Sequence, residues 1–327
     1  MKAIKTAGLG PGTRLVVGTS KPPKPGPNDV LVKVKASSVN PKDWKLNRTA
    51  AMLATPLLTK LLPPLFGDDL AGEVIATGSS VTDFTVGDKV YGMDMRPRTA
   101  SLAEKAVIDQ RCVAHMPHGL DFATAASLPL AALTALQGLH IGKAQSGSEV
   151  LIIGASGGVG TLAVQIAKAM GCHVTGVCSS RNRQRVHELG ADAVIDYTAG
   201  DYRRDAGQFD LVFDVTSYET PQSCAPLLKP HGYFVSTGGN AKSVLALRTS
   251  RNPRVKGVLV RPVRRDLETI NSMIEAGELT PVIDSQFAFA DTEDAYRRSR
   301  SGRAQGKIVI TVADDCSAES PGETAAD

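Results

Sequence analysis

The chain lacks the cysteine patterns of disulfide-rich and zinc-binding proteins. Its five cysteines are dispersed, and no Cys-x-x-C pair occurs. A disulfide framework and a cysteine-cluster zinc site both need closely spaced cysteines, so the spacing argues against either. The five are Cys112, Cys172, Cys178, Cys224 and Cys316. Dispersed cysteines are typical of a reducing compartment, and we expect a cytoplasmic protein.

Long apolar runs are missing as well. No stretch of eighteen apolar residues occurs, so we expect no membrane span. The first residues, Met1–Lys5, have no apolar core of the kind that a signal peptide needs. With 42% hydrophobic and 21% charged residues, the 327-residue chain has the composition of a soluble globular protein. Its length suits two domains of ordinary size.

Basic residues are absent from the last fourteen positions, 314–327, which contain five acidic residues. These acids bring the charge of about +9 on residues 1–313 down to the formal +4 of the whole chain. We predict a disordered acidic tail over 314–327. The basic residues elsewhere are scattered, which favours a solvated surface and a phosphate-bearing cofactor over a nucleic-acid partner.

The secondary-structure pattern that the sequence predicts changes twice along the chain. Up to residue 120 it is rich in strands, since Val30, Val32 and Val34 alternate with other residues at the period of a half-buried strand. Short strands separated by Gly, Pro and Asp predict a small barrel. From 121 to 260, helical stretches alternate with short apolar strands, which predicts a parallel sheet covered by helices on both faces. From about residue 261 to residue 313, the strand-rich pattern of the first part returns.

The most informative stretch is a glycine-rich turn between the apolar strand Val150–Ile153 and a following helix. Dinucleotide sites need this order, because backbone amides must approach a pyrophosphate at a helix start that offers free N–H groups. Gly157 leaves room for that approach, and Gly160 lets the helix pack on its strand. The predicted turn residues are Ala155, Ser156, Gly157, Gly158, Val159 and Gly160.

The residues after the next predicted strand indicate which dinucleotide binds. An acidic residue about 20 positions past the glycines would favour NAD. This chain has Ser179, Ser180 and Arg181 there instead. Hydroxyls and a guanidinium suit a 2′-phosphate, so the sequence predicts NADP(H) as cofactor. Both Arg181 and the nearby Arg183 have the alternative of being ordinary residues of a helix surface.

Further segments form an ordered series with the glycine turn: Ser38–Asp43, Gly67–Val74, Val86–Gly92, Leu128–Ala135, Leu189–Tyr197 and Gly306–Ile310. Together they resemble the zinc-free medium-chain dehydrogenase/reductase superfamily, and within it the quinone oxidoreductase and enone (alkenal) reductase branch. The resemblance runs from about residue 3 to 312. It implies an α/β fold, with a GroES-like β-barrel domain over 1–120 and 261–313 and a Rossmann doubly wound parallel sheet over 121–260.

The resemblance also implies that no metal takes part. Zinc-dependent relatives place a cysteine near Val39 or Asn40, Gly-His-Glu where this chain has Gly67–Asp69, and a four-cysteine lobe after Gly92. Zinc needs three or four convergent N, S or O ligands, and these are not in the expected places. Without a Lewis acid, alcohol oxidation is disfavoured. Hydride delivery to an electrophilic carbon, in an enone or a quinone, needs only positioning and an acid.

Two catalytic residues follow from the resemblance. Asn40 is placed near the nicotinamide ribose and the substrate carbonyl, where its amide can donate to a developing oxyanion. The alternative is a turn residue before Pro41. Lys45 stands where many quinone reductases have tyrosine and plant enone reductases have lysine. It would donate to the enolate or hold a ribose hydroxyl, with a solvent-facing lysine as the alternative.

The resemblance places further residues against the cofactor. Thr134 is expected at the nicotinamide amide, with an ordinary helix-interior threonine as the alternative, and Tyr197 is expected to line the 2′-phosphate pocket. The loops beside the nicotinamide are expected to contribute Val215, Thr237, Gly238, Val258 and Val260.

The segment from Thr49 to Phe66 is unusually apolar, with Lys60 as its one charge. It has three interpretations: lining of an apolar substrate cleft, ordinary core, or contact with a membrane or partner. Pro56 and the pair Pro63–Pro64 break any long helix, which weakens the last. We favour a cleft for a bulky apolar small molecule.

These features predict an NADPH-dependent, zinc-independent reductase of enones or quinones. Two alternatives stay open: a biosynthetic tailoring enzyme with a specialised, even non-redox, step, and a non-catalytic NADPH-binding protein. Relatives of this kind commonly dimerise through the edge strand of the Rossmann sheet. The apolar strand Tyr233–Ser236 makes a homodimer of this type our expectation.

Overall fold

The computed structural model describes residues 1–7, 14–44, 67–96, 99–204 and 206–312. Three predictions concern residues outside these ranges. They are the role of Lys45, the apolar segment from Thr49 to Phe66, and the acidic tail 314–327. The structure therefore does not bear on them.

The first sheet is organised around one long strand, β3 (Asp29–Val39). Its alternate residues Val30, Val32 and Val34 are buried, as the period of the sequence predicts. The strand pairs antiparallel with β4, β6 and β15, and the sheet order is β14-β15-β3-β4-β5-β7, with β6 paired to β3. Its other strands are β4 (Asp69–Thr77), β5 (Lys89–Met93), β6 (Lys105–Asp109), β7 (Val113–His115), β14 (Ile283–Ala288) and β15 (Lys307–Thr311). A separate antiparallel pair is formed by β1 (Lys2–Ala7) and β2 (Arg14–Thr19).

The second sheet is parallel throughout and has the order β10-β9-β8-β11-β12-β13. Its strands are β8 (Glu149–Ile153), β9 (His173–Cys178), β10 (Ala193–Asp196), β11 (Phe209–Asp214), β12 (Leu228–Ser236) and β13 (Val255–Gly257). The chain order reverses between β8 and β11. In doubly wound sheets the carboxyl ends at this point form the ligand crevice. The predicted fold class, a GroES-like barrel with a Rossmann sheet, is confirmed.

The helices lie between the strands, as the alternation in the sequence predicts. Residues 122–141 contain two of them, α1 (Phe122–Ala126) and α2 (Pro129–Ile141), which are separate because Pro129 begins a new helix. The remaining helices are α3 (Gly158–Ala169), α4 (Arg183–Glu188), α5 (Pro221–Cys224), α6 (Ala241–Thr249), α7 (Arg264–Glu275) and α8 (Thr292–Arg300). Within the described ranges, none is long and apolar enough to cross a bilayer.

The largest apolar core joins the two sheets. Tyr91 and Met93 of β5 are fully buried and belong to the same cluster as Leu133 and Leu136 of α2. Tyr91 also lies against α7, since its hydroxyl is 3.1 Å from the carbonyl oxygen of Leu267. Helix α2 is therefore packed against both parts of the molecule. The exact domain limits at 120/121 and 260/261 stay a prediction.

The expectation that Tyr233–Ser236 forms the free edge of the Rossmann sheet is wrong. These residues belong to β12, which is hydrogen-bonded to β11 on one side and to β13 on the other. Val255–Gly257, in β13, occupies the edge instead. The apolar character of Tyr233–Ser236 reflects burial on the faces of the parallel sheet, where Phe234 and Val235 belong to two different apolar cores.

Candidate active site

The glycine turn leaves the start of α3 open. Gly154 adopts a left-handed backbone with φ of 89°, and the N–H groups of Gly154 and Ala155 both donate to the carbonyl of Val177 at 3.0 Å. Gly157 is the N-cap residue of α3, and among the described residues no side chain caps this helix end. The amides of its first turn therefore point outward as donors, next to the positive end of the helix dipole.

A side chain would meet different surroundings at each of the three glycines Gly157, Gly158 and Gly160. A Cβ on Gly160 would stand 2.1 Å from the carbonyl oxygen of Gly154, so α3 packs there on the turn itself. A Cβ on Gly158 would stand 2.9 Å from Cδ of Lys307. At Gly157 the nearest atom is the oxygen of Gly154, at 3.6 Å, so its outer side is open. The cradle fits a pyrophosphate at Gly157 and the first turn of α3.

The other residues predicted in the turn have distinct positions. Ala155 is buried, and a Cβ built on Gly176 would lie 3.0 Å from its methyl group, so Ala155 serves packing between turn and sheet. The hydroxyl of Ser156 accepts a hydrogen bond of 2.9 Å from Nδ2 of the buried Asn182. Val159 is half-buried against the main core.

The four residues predicted for the 2′-phosphate lie together at the carboxyl ends of β9 and β10. Ser179 accepts a hydrogen bond from Asn182, while Arg181 is exposed and Tyr197 is 55% exposed. The hydroxyls of Ser180 and Thr198 are 2.9 Å apart, which ties the two strand ends to each other. The chain thus presents hydroxyls, a guanidinium and a phenol on one accessible surface.

A carboxylate that the sequence argument overlooked stands beside them. Asp196 is the last residue of β10 and is in register with Cys178 of β9. Its Oδ1 accepts hydrogen bonds from the backbone N–H and the hydroxyl of Thr198, at 2.8 and 2.6 Å. Hydrogen bonds from Thr198 and Ser180 hold the pKa of Asp196 below its usual range. The signal was available in the sequence, one residue before Tyr197.

The predicted nicotinamide loops meet at the carboxyl ends of β11 and β12. The hydroxyl of Thr237 lies 3.3 Å from the carbonyl oxygen of Val215. The N–H of Val258 donates to the carbonyl of Ser236 at 2.9 Å, next to Gly238, which has a φ of 63°. These hydrogen bonds bring Val215, Thr237, Gly238 and Val258 into one cluster.

Thr134 lies on helix α2, which also binds the segment that follows Val258. The hydroxyl of Thr134 donates to the carbonyl of Leu130 at 2.6 Å, so its remaining lone pairs stay available as acceptors. One turn on, the side chain of Gln137 pairs with both backbone groups of Arg261 at 2.9 Å. This pairing holds Val260 beside α2.

Asn40 lies in a buried polar cluster with a charge pair. Its Nδ2 donates to Oδ2 of Asp69 at 2.8 Å, and its Oδ1 accepts from Nζ of Lys307 at 2.5 Å. The hydroxyl of Ser38 also donates to Asp69, and Lys307 is 3.4 Å from the same carboxylate. Asn40 is 1% exposed. Its amide is therefore held in one orientation by a carboxylate on one side and an ammonium on the other.

The charge pair links Asn40 to the start of α2 and to the glycine turn. Oδ1 of Asp69 accepts a hydrogen bond of 2.8 Å from the N–H of Leu130, in the first turn of α2. The stem of Lys307 packs against Gly158 of the glycine turn. The roles of Asp69 and Lys307 were not among the predictions. A lysine directly before the apolar run Ile308–Ile310 was the signal, since a charge there is buried once the strand enters a sheet.

A second pair of carboxylates lies beside Asn40. The N–H of Asn40 and the hydroxyl of Tyr296 both donate to Oδ2 of Asp43, at 3.0 and 3.1 Å. Nζ of Lys42 is 2.6 Å from Oδ2 of Asp68. Burial, with repulsion from Asp68, raises the pKa of Asp43 to about 7, and burial raises that of Asp68 to about 6.

The carboxylates of this region face ammonium groups. In the part of the chain that the structure describes, no three His, Cys, Asp or Glu side chains are grouped so that they could hold a metal ion. Asp68 faces Lys42, and Asp69 faces Lys307. A cation held by these carboxylates would have to displace a lysine.

Comparison with known proteins gives two family matches, one in each half of the chain. Residues 26–121 match the family described as alcohol dehydrogenase GroES-like domain, and residues 189–310 match the family described as zinc-binding dehydrogenase. A chloroplast envelope quinone oxidoreductase homolog from Arabidopsis thaliana is 34% identical, with 88% of this chain and 91% of the relative covered. A 2-methylene-furan-3-one reductase from Solanum lycopersicum is also 34% identical, over 86% of this chain and 71% of the relative.

Among solved structures, a quinone oxidoreductase from Coxiella burnetii superposes with a TM-score of 0.85 at 31% identity. The match covers 96% of this chain and 99% of that one. The likeness therefore includes both sheets.

Proposed function

Because the chain belongs to the medium-chain dehydrogenase/reductase superfamily, in its quinone oxidoreductase branch, we propose that it is an NADPH-dependent, zinc-independent reductase of activated C=C bonds or quinones. One observation carries the proposal. Lys307 packs its stem on Gly158 of the cofactor cradle and bonds its ammonium to Asn40. A single side chain thus joins the dinucleotide site to the candidate catalytic amide.

The cofactor supplies a hydride when bound, and the residues of the chain bind and orient it. The free N–H groups at residues 158–160 receive the pyrophosphate, with Lys307 as the neighbouring positive charge. Ser179, Ser180, Arg181 and Tyr197 receive the 2′-phosphate. Asp196 already accepts hydrogen bonds from Ser180 and Thr198, so the preference for NADPH depends on Arg181 outweighing this one negative charge.

The amide of Asn40 binds the substrate that receives the hydride. Nδ2 carries two hydrogens, and among the described residues only Asp69 accepts from it. The second hydrogen is thus available for an oxyanion that develops on the substrate. Lys42 and Lys307 pair with Asp68 and Asp69, where a bound metal ion would otherwise supply the positive charge. A site without a metal suits the reduction of an acceptor that is already electrophilic. Lys45 stays our expected partner for the ribose or the enolate.

The substrate class is proposed from the relatives and the sequence together. The tomato relative is named for a 2-methylene-furan-3-one, which is an enone, and the other two proteins are named for quinones. The apolar segment from Thr49 to Phe66 favours a bulky apolar small molecule. A cytoplasmic location and a homodimer formed through the edge strand β13 complete the proposal.

The test is NADPH oxidation, followed by absorbance, with a panel of enones, alkenals and quinones. Turnover of simple members of the panel supports the proposal. Binding of NADPH without any turnover would favour a non-catalytic NADPH-binding protein, and activity confined to one complex substrate would favour a tailoring enzyme. Failure to bind NADPH at high micromolar concentration contradicts all three.

A further inference from the structure

The charged cluster beside Asn40 has one clearly accessible member. The side chain of Asp69 is fully buried, that of Lys307 is 6% exposed and that of Asp68 is 9% exposed. The side chain of Lys42 is 30% exposed. A group that exchanges a proton with substrate and then with solvent needs such access, and within the cluster Lys42 has the most.

The position of Lys42 relative to Asn40 is fixed twice. Lys42 lies in the helical turn over 41–44, two residues after Asn40. Its ammonium is 2.6 Å from Asp68, and the next residue, Asp69, accepts a hydrogen bond from Asn40. The pairs Lys42–Asp68 and Asn40–Asp69 therefore bridge the same two segments side by side. The ammonium is therefore held by the residue directly before the one that holds the amide of Asn40, which orients the acceptor in the function proposed above.

We propose that Lys42 is the proton donor of this reductase and that Asp68 positions its ammonium. The proposal rests on the function stated above and names the acid that this function needs. After the β-carbon of an enone has received a hydride, the displaced electron pair forms an enolate. An N–H bond of Lys42 breaks as a C–H bond forms at the α-carbon, which gives the saturated ketone. The neutral amine then takes a proton from solvent.

The first experiment compares the variants K42A, K45A and K229A of the full chain in the reductase assay. We expect K42A to lose about 10²–10⁴-fold in kcat, as typical for loss of a general acid, while its Kd for NADPH stays unchanged. Added ethylamine should restore activity to K42A, because the free ammonium enters the vacated space. K229A is the matched control, since Lys229 forms a 2.8 Å ion pair with Asp210 and is 38% exposed.

Three outcomes overturn the assignment. The first is a K42A variant with the kcat of the wild type. The second is a folded K42A that ethylamine does not restore. The third is restoration of K45A rather than K42A, which would make Lys45 the donor. Because K42A leaves Asp68 unpaired at a buried position, the double variant K42A/D68N is measured in parallel and should show the same loss and the same restoration.

The second experiment does not depend on turnover. 4-Nitrophenolate has a planar ring and an oxyanion, as an enolate does, whereas nitrobenzene is neutral. We expect the wild type to bind the phenolate more tightly than K42M does, and both proteins to bind nitrobenzene equally. If the wild type and K42M bind the phenolate with equal affinity, or if neither binds it, the role of Lys42 is contradicted. If instead no acceptor is reduced but phenolate binding depends on Lys42, the proposed function fails and the anion-facing position of Lys42 stands.

Discussion

Asp69 accepts a hydrogen bond of 2.8 Å from the backbone N–H of Leu130, so a carboxylate of the barrel sheet caps the first turn of a helix that packs on the Rossmann sheet. The N-cap residue of that helix, Leu128, has no side-chain oxygen of its own. A negative charge at this end is also favoured by the helix dipole. The relationship joins the two parts of the molecule at the candidate site.

Replacement of Asp69 tests how much its carboxylate contributes to the stability of the fold. In D69N the buried ammonium of Lys307 loses its counter-charge, and the cap on α2 is weakened. We expect the free energy of unfolding to fall by about 3–5 kcal/mol, as for other broken buried pairs. Urea denaturation measures it. D294N, which breaks an exposed pair with Arg297, should change stability by less than about 1 kcal/mol. Equal effects of the two variants would contradict the buried pairing.

The glycine turn offers a matched pair of variants. G160A forces a Cβ to 2.1 Å from the oxygen of Gly154, so it should both destabilise the protein and abolish NADPH binding. G157A meets no protein atom closer than 3.6 Å, so its stability should stay within about 1 kcal/mol of the wild type. Its affinity for NADPH should nevertheless fall about tenfold or more, because the methyl group occupies the approach of the pyrophosphate. Thermal melts and fluorescence titration separate the two effects. An unchanged Kd in G157A would contradict the site.

Lys307 is expected to act on the cofactor as well as on Asn40. K307M keeps the stem against Gly158 and removes the charge, so the Kd for NADPH should rise about tenfold. The measurement is a titration followed by NADPH fluorescence. K307R, which keeps the charge, should bind more tightly than K307M. A K307M protein that folds and binds NADPH as the wild type does would limit Lys307 to a role in packing.

Selectivity between the two dinucleotides should depend on Arg181. In R181A we expect the Kd for NADPH to rise about 10–100-fold, since a charge-assisted hydrogen bond contributes about 1.5–3 kcal/mol. The Kd for NADH should not change. R183A, two residues further on, is the comparison and should have the smaller effect. Parallel loss of both cofactors in R181A would show that the arginine does not contact a 2′-phosphate.

The buried carboxylates predict a pH dependence of stability. Burial raises the pKa of Asp43 to about 7, so the native protein holds a proton that the unfolded chain releases near pH 4. Stability is therefore lost as pH rises from about 4 to about 7 on account of this group. D43N keeps a side-chain oxygen that accepts from Asn40 and Tyr296 but does not titrate. We expect a flatter dependence for D43N, measured by urea denaturation between pH 5 and 8. A loss as steep as that of the wild type would contradict the assignment.

Local pattern was enough to predict much of the architecture. The alternation of Val30, Val32 and Val34, and the strand–turn–helix order around Gly157, depend on neighbours within a few residues. They predicted a barrel strand, a parallel sheet and a dinucleotide turn, and the fold confirms the two-sheet class. The same reasoning misplaced the edge strand, since the order of strands in a sheet is not a local property. Tyr233–Ser236 is apolar because its side chains are buried on the faces of the sheet, whereas its pairing with β13 depends on another segment of the chain.

Local patterns in the chain thus specify the secondary-structure elements and the chemistry of the glycine turn. Which charges meet depends on the three-dimensional fold. Asn40, Asp69 and Lys307 are far apart in the chain, and each one alone has the character of a turn or strand residue. Folding brings them into one buried cluster because a carboxylate and an ammonium without water must find each other and their hydrogen-bond partners. That requirement acts through space, and it places the amide of Asn40 between the two charges.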